Sequence, residues 1–253
     1  MLEWFTPQRK TWLYRVNPAI KFATFFALFM VVFLNQNFGF LLNQMIIYGV
    51  LLYVFSGYSW RKLLLLSIPI VLSFLSTGFT MMMFGKGSNI WWSWGIIKIS
   101  EESFYYGLLL GFKTACFGFL SLTFLLTSRP ILLFYALMQQ FKFPPKYAYS
   151  FIASISLMPV IMEELQTRSN ALKVRGVQFS KGIKGVYDRL RLFTVPLFAQ
   201  SIRRAQRVAV AMEAKRFHIG SARTFYYETK YGGIDAFFLV IMISLFSVAY
   251  VLA

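Results

Sequence analysis

Two short basic clusters hold most of this chain's recognisable chemistry. Arg175 stands before Gly176 at the end of a helical pattern, and Lys215-Arg216 follow Glu213-Ala214 at the end of another, Arg175 and Lys215 being 40 residues apart. An arginine in such a position offers a planar fork for bidentate, charge-assisted contact, which a lysine does less well. This is binding chemistry rather than bond-breaking chemistry. Cys116 is the only cysteine and His218 the only histidine, which excludes an intrachain disulfide, a cysteine-based or His-cluster metal site and a triad needing a second histidine. Gly85-Lys86-Gly87-Ser88 is no phosphate loop, because the earlier glycine of that motif is missing. Glu163 and Glu164 read as helix-face charges rather than a catalytic pair, and His218 as an incidental cap. Lys113 lies inside an apolar run. An ionisable group at that depth is a functional candidate, although the plainer reading places it in the protein interior beside Thr114.

The elements that position these groups follow from composition. Of 253 residues, 58% are apolar and only 14% charged. A soluble domain carries about a quarter charged residues, so this chain has too few to cover a water-facing surface, which argues against a soluble enzyme. The net charge is 26 − 9 = +17. On a soluble protein that would suggest nucleic acid. Here the basic residues alternate with apolar runs, as they do when a membrane protein marks its cytoplasmic side, so no nucleic-acid partner is expected. Spans of about 20 residues are predicted near 19–34, 38–55, 63–84, 104–126 and 234–253. The segment 85–103 reads as a polar loop with an aromatic belt of Trp91, Trp92 and Trp94. The Lys/Arg bias predicts a cytoplasmic N-terminus and a cytoplasmic region 161–231. Whether helices around 131–158 re-enter or span stays open.

Between the fourth and last spans the pattern changes. Residues 163–230 hold 14 of the 26 basic residues and show helical periodicity. One helix around 158–175 is predicted, with Glu164 and Arg168 paired four apart and Gly176 as its C-terminal cap. A second is predicted to open after Pro196, a residue suited to a helix start, and to end near Gly220, with Gln200, Arg203, Arg204 and Arg207 on its polar side. Two readings of these helices remain open on residue physics alone. They lie on anionic headgroups, or they present basic tips to acidic grooves of a soluble partner.

Four motifs resemble one family. Asn17-Pro18-Ala19-Ile20-Lys21 looks like a "D/N-P-x-x-K" entry to the first span. Thr127-Ser128-Arg129-Pro130 with Leu133, Leu137 and Pro144 looks like "T-x-x-P…L…P". Asn170 to Gly176 resembles "A-x-x-x-R-G", with Val174 where alanine is common. Ala211-Met212-Glu213-Ala214-Lys215-Arg216-Phe217 resembles "A-M-E-A-R-G-F/Y", with Lys215 for Arg and Arg216 for Gly. Together they make the chain similar, over nearly its whole length, to the transmembrane T component of energy-coupling factor (ECF) transporters, including the cobalt-type members.

The resemblance implies an all-α polytopic membrane protein. It would have about five transmembrane helices and long cytoplasmic coupling helices between the fourth and last spans, divided as 1–130, 131–231 and 232–253. It implies a non-catalytic scaffold in the cell membrane that joins two ABC ATPase subunits to a substrate-binding S component, for uptake of a vitamin, a vitamin precursor or a metal ion. ATP would be bound by the partners, with no cofactor or metal on this chain. Val174, Arg175, Gly176, Ala214, Lys215 and Arg216 would contact the ATPases, supported by Arg203, Arg204, Arg207 and Glu213. The alternatives are a self-contained permease using Lys113 and, with less in its favour, a membrane-embedded lipid or isoprenoid enzyme.

Overall fold

A computed structural model describes residues 9, 11–85, 90–94, 97–177, 182–217, 225 and 227–252. The chain forms two compact units, Met1–Ala136 with Thr229–Ala253, and Leu137–Glu228. The first unit contains α1 (Pro18–Leu34), α2 (Phe38–Phe55), α3 (Trp60–Phe84), β1 (Ile90–Trp94), β2 (Ile97–Ser100), α4 (Glu101–Thr127) and α8 (Gly233–Val251). The helix α5 (Pro130–Gln140) carries the chain into the second unit, which holds α6 (Pro145–Val174) and α7 (Ile183–Ala214).

Uninterrupted apolar sequence makes helix the only economical state in lipid, because every backbone polar group is satisfied within the segment. Helix ends then need local devices. Asn17 caps α1 by accepting from the Ala19 N–H at 3.0 Å, with Pro18 at the first helical position. Ser100 caps α4 in the same way through Ser103, and Glu101 and Glu102 in the first turn suit the positive end of the helix dipole. The buried core of this unit is rich in rings and long side chains from α1, α2, α4 and α8, among them Phe25, Phe40, Tyr48, Phe112, Phe238 and Met242. A 3-10 turn at Trp12–Arg15 closes one end of it, with Trp12 set against Phe55 and Phe237.

The pair α3–α4 packs closely through glycine. A Cβ on Gly107 would lie 2.8 Å from the backbone oxygen of Gly78, and one on Gly118 would lie 2.6 Å from Ile70. Small residues at such positions let two helices approach in a bilayer. The helices also differ in length. α1 has 17 residues and α4 has 27, about 26 and 40 Å. Lys113 of α4 is level with the end of α1, so the first turns of α4 continue about 18 Å past it.

Several sequence expectations are amended. Five helices are long and apolar enough to cross a membrane, namely α2, α3, α4, α6 and α8. α1, expected as the first span, is an apolar helix of 17 residues, within the range that crosses a bilayer, and α6, which overlaps the segment left open, meets the criterion by length and composition alone. The 85–103 loop contains an antiparallel hairpin, Trp94 opposite Ile97 and Ser93 opposite Lys98. β-propensity of the Ile/Trp run explains this. The second basic helix does not open after Pro196. It starts at Ile183 and carries Pro196 inside, as α6 carries Pro159. A proline inside a helix removes one hydrogen bond and kinks it, so helix continues on both sides of Pro196, over 32 residues in all. That helix ends at Ala214 rather than near Gly220. Positions 86–89 and 218–224, with Lys86, Gly87 and Ser88 of the Gly-Lys-Gly-Ser segment and with His218, lie outside the described residues.

Candidate coupling site

The two basic clusters adopt one geometry. At the end of α6 the Gly176 N–H donates to Lys173 O at 3.0 Å and the Val177 N–H donates to Leu172 O at 3.2 Å. At the end of α7 the Arg216 N–H donates to Glu213 O at 2.8 Å and the Phe217 N–H donates to Met212 O at 2.9 Å. Each is a Schellman motif, the paired closure that satisfies orphan carbonyls at a helix terminus. It requires a left-handed residue just past the cap. Gly176 supplies it with φ 67°, and Arg216 with φ 52°. Cap position therefore aligns Val174 with Ala214, Arg175 with Lys215, and Gly176 with Arg216. All six are exposed. The hydrophobic residue that follows each cap is Val177 or Phe217, and Phe217 lies edge-on to Tyr149 of α6 with ring centroids 5.5 Å apart.

The supporting residues separate into two groups. Arg203, Arg207 and Glu213 are exposed on α7. Arg204 is half-buried and turns toward α6, where it forms an ion pair with Glu164. Gln200 joins the same contact, donating to Glu164 Oε1 and accepting from Arg168 Nη2, each at 3.1 Å. The expected Glu164–Arg168 pair along one helix is thus replaced by a bridge between two helices, because Gln200 can donate to the acid and accept from the base. Contacts 149–217, 164–204 and 168–200 run in opposite sense along the two helices. Hence α6 and α7 are antiparallel, and their tips stand at opposite ends of the pair, about 39 Å apart along α6 from Tyr149 to Arg175.

Lys113 is not a lone interior charge. Its Nζ donates to Phe33 O at 2.9 Å, in the last turn of α1, while Thr114 bonds back to Leu110 O of its own helix. A cation on the final carbonyls suits the negative end of the dipole. Among the described residues no group of three or more His, Cys, Asp or Glu is placed to hold a metal.

A polar node went unread in the sequence. Lys21 is 1% exposed and its Nζ donates to Thr127 O at 3.0 Å, at the last residue of α4. Asp235 is 5% exposed and accepts from the Asn17 N–H at 2.7 Å and from the Gly232 N–H at 2.9 Å. Asn17 Nδ2 reaches Lys230 O at 3.5 Å. The entry motif at 17–21 thus holds the central motif at 127–130 through Lys21 and the acid that opens the last helix through Asn17. The only advance signals were a lysine just inside the first helix and an acid in the first turn of the last one.

A family model described as CbiQ, cobalt transport protein, matches residues 9–226. The chain is 31% identical over 249 residues to the energy-coupling factor transporter transmembrane protein EcfT of Lactococcus lactis subsp. cremoris, covering 91% of this chain and 90% of that one. It is 30% identical to the protein of the same name from Acidaminococcus fermentans, covering 92% and 90%. With the one from Streptococcus equi subsp. equi the identity is 28%, over 85% and 82%. The chain therefore belongs to the CbiQ family, as a membrane transporter component of a kind that does no catalysis of its own.

Proposed function

We propose that this chain is the energy-coupling scaffold of an ECF-type ABC importer. It links two cytoplasmic ATPase subunits to a substrate-binding S component, for uptake of a vitamin, a vitamin precursor or a metal ion. ATP binds to the partner subunits. The N-terminus and the tips of α6 and α7 face the cytoplasm. One observation carries the reading. Two long helices end in the same cap, each with a cation at the cap position, Arg175 and Lys215, at opposite ends of an antiparallel pair. That arrangement suits two separate acidic grooves, one on each ATPase, rather than a single site. Val174–Gly176 and Ala214–Arg216 are the contact segments. Arg204 with Glu164 ties the helices together, while Arg203, Arg207 and Glu213 flank the second tip.

The test uses the reconstituted complex. Arg175→Glu and Lys215→Glu each place like charges together at a groove, which costs several kcal/mol. Substrate uptake is expected to fall by roughly tenfold or more, with membrane insertion unchanged. The purified chain alone is expected to hydrolyse no ATP, and the complex with both ATPases to hydrolyse it. Undiminished uptake in both variants, or turnover by the isolated chain, overturns the reading.

A further inference from the structure

Lys21 and Asp235 sit where the chain leaves the first unit and where it returns. The second unit begins at Leu137 and ends at Glu228. The outgoing path runs through Thr127, whose carbonyl Lys21 holds. The returning path runs through Lys230 and Gly232, held by Asn17 and Asp235. Both connections to the coupling helices are thus fastened to the start of α1 by one buried cluster.

The charges are placed where each is favoured. Lys21 meets the C-terminal carbonyl of α4, and Asp235 meets backbone N–H groups at the starts of α1 and α8. The two halves are joined through the first turn of α1, where the Lys21 N–H donates to Asn17 O at 3.0 Å. Apolar residues of similar volume often stabilise such a position as well or better. What an apolar cluster cannot do is fix three helix ends in one orientation, since dispersion contacts are non-directional and hydrogen bonds are not.

We propose that Lys21, Asp235 and Asn17 form a clasp of positioning residues. It holds the exit from α4 and the entry to α8 against α1, so that movement of the coupling helices displaces the membrane helices instead of being absorbed at the two joints. This rests on the transporter reading above.

The test is the double variant Lys21→Met/Asp235→Asn in the full complex, reconstituted in liposomes with both ATPases and the S component. Removing both charges leaves no lone ion in the core, although Asn keeps only one of the two acceptors that Asp235 offers, so assembly and ATP hydrolysis of the variant are measured as the check on its folding. Assembly and ATP hydrolysis are expected near wild-type levels, while substrate taken up per ATP hydrolysed falls by roughly tenfold or more. A merely structural role does not move that ratio. An unchanged ratio overturns the clasp. So does a parallel loss of assembly, hydrolysis and uptake, which would make the node a fold determinant only. Absence of ATP-driven uptake in the wild-type complex sinks the transporter reading and the clasp with it, whereas wild-type uptake with an unchanged variant ratio sinks the clasp alone.

Discussion

At the residue scale, the two caps differ in one atom set that matters. The left-handed conformation costs an L-residue about 1–2 kcal/mol, and glycine escapes that cost. A Cβ on Gly176 would meet nothing within 4 Å, so Gly176→Ala isolates the backbone term. It should lower stability by about 1 kcal/mol. Arg216→Gly should do the reverse, raising stability by about 0.5 kcal/mol after the added freedom of the unfolded chain is deducted. Thermal unfolding of the purified protein in detergent measures both, and a destabilised Arg216→Gly would mean that the arginine side chain holds the cap. The first cap was legible because a glycine after a helical run marks a C-terminus. The second was obscured because a charged residue gives no sign of a left-handed backbone. The partner of Arg204 was hidden for a different reason. Its partner Glu164 is 40 residues away, beyond the reach of helical periodicity.

At the element scale, length and composition made the helices α2, α3, α4 and α8 readable, since apolar runs bounded by polar breaks have few other solutions in lipid. Their packing was readable only in part. Gly107, Gly111 and Gly118 signal close approach but do not name the partner, which proves to be α3 at Gly78, Phe74 and Ile70. Gly107→Leu should therefore push α3 and α4 apart. Its Cβ would stand 2.7 Å from Met82 and 2.8 Å from a backbone oxygen that has no side-chain freedom to yield. Overpacking of this kind costs about 1–3 kcal/mol. A lowered melting temperature, with a loss of cysteine crosslinking between introduced pairs on α3 and α4, is the expected result, and an unshifted melting temperature would contradict the close packing. Pro196 misled in the opposite direction. Proline suits a helix start as well as a kink, and only the helix on its N-terminal side distinguishes the two.

At the scale of the whole molecule, family membership was visible in four short motifs spread along the chain, but not why two of them belong together. Lys21 and Thr127 are 106 residues apart, and no local pattern connects them. Lys113 was the residue on which a permease reading leaned. Its bond to Phe33 O accounts for it as an end-cap. Lys113→Ala should cost α1 about 0.3–1 kcal/mol of terminal stability and should reduce uptake less than Arg175→Ala does in the same assay. The opposite ranking would return the permease to favour.

The unequal reach of α1 and α4 has a consequence for the surrounding lipid. About 26 Å fits within a hydrocarbon core, whereas about 40 Å reaches into the headgroup layers, so the first turn of α4, with Glu101, Glu102 and Ser103, stands among headgroups rather than acyl chains.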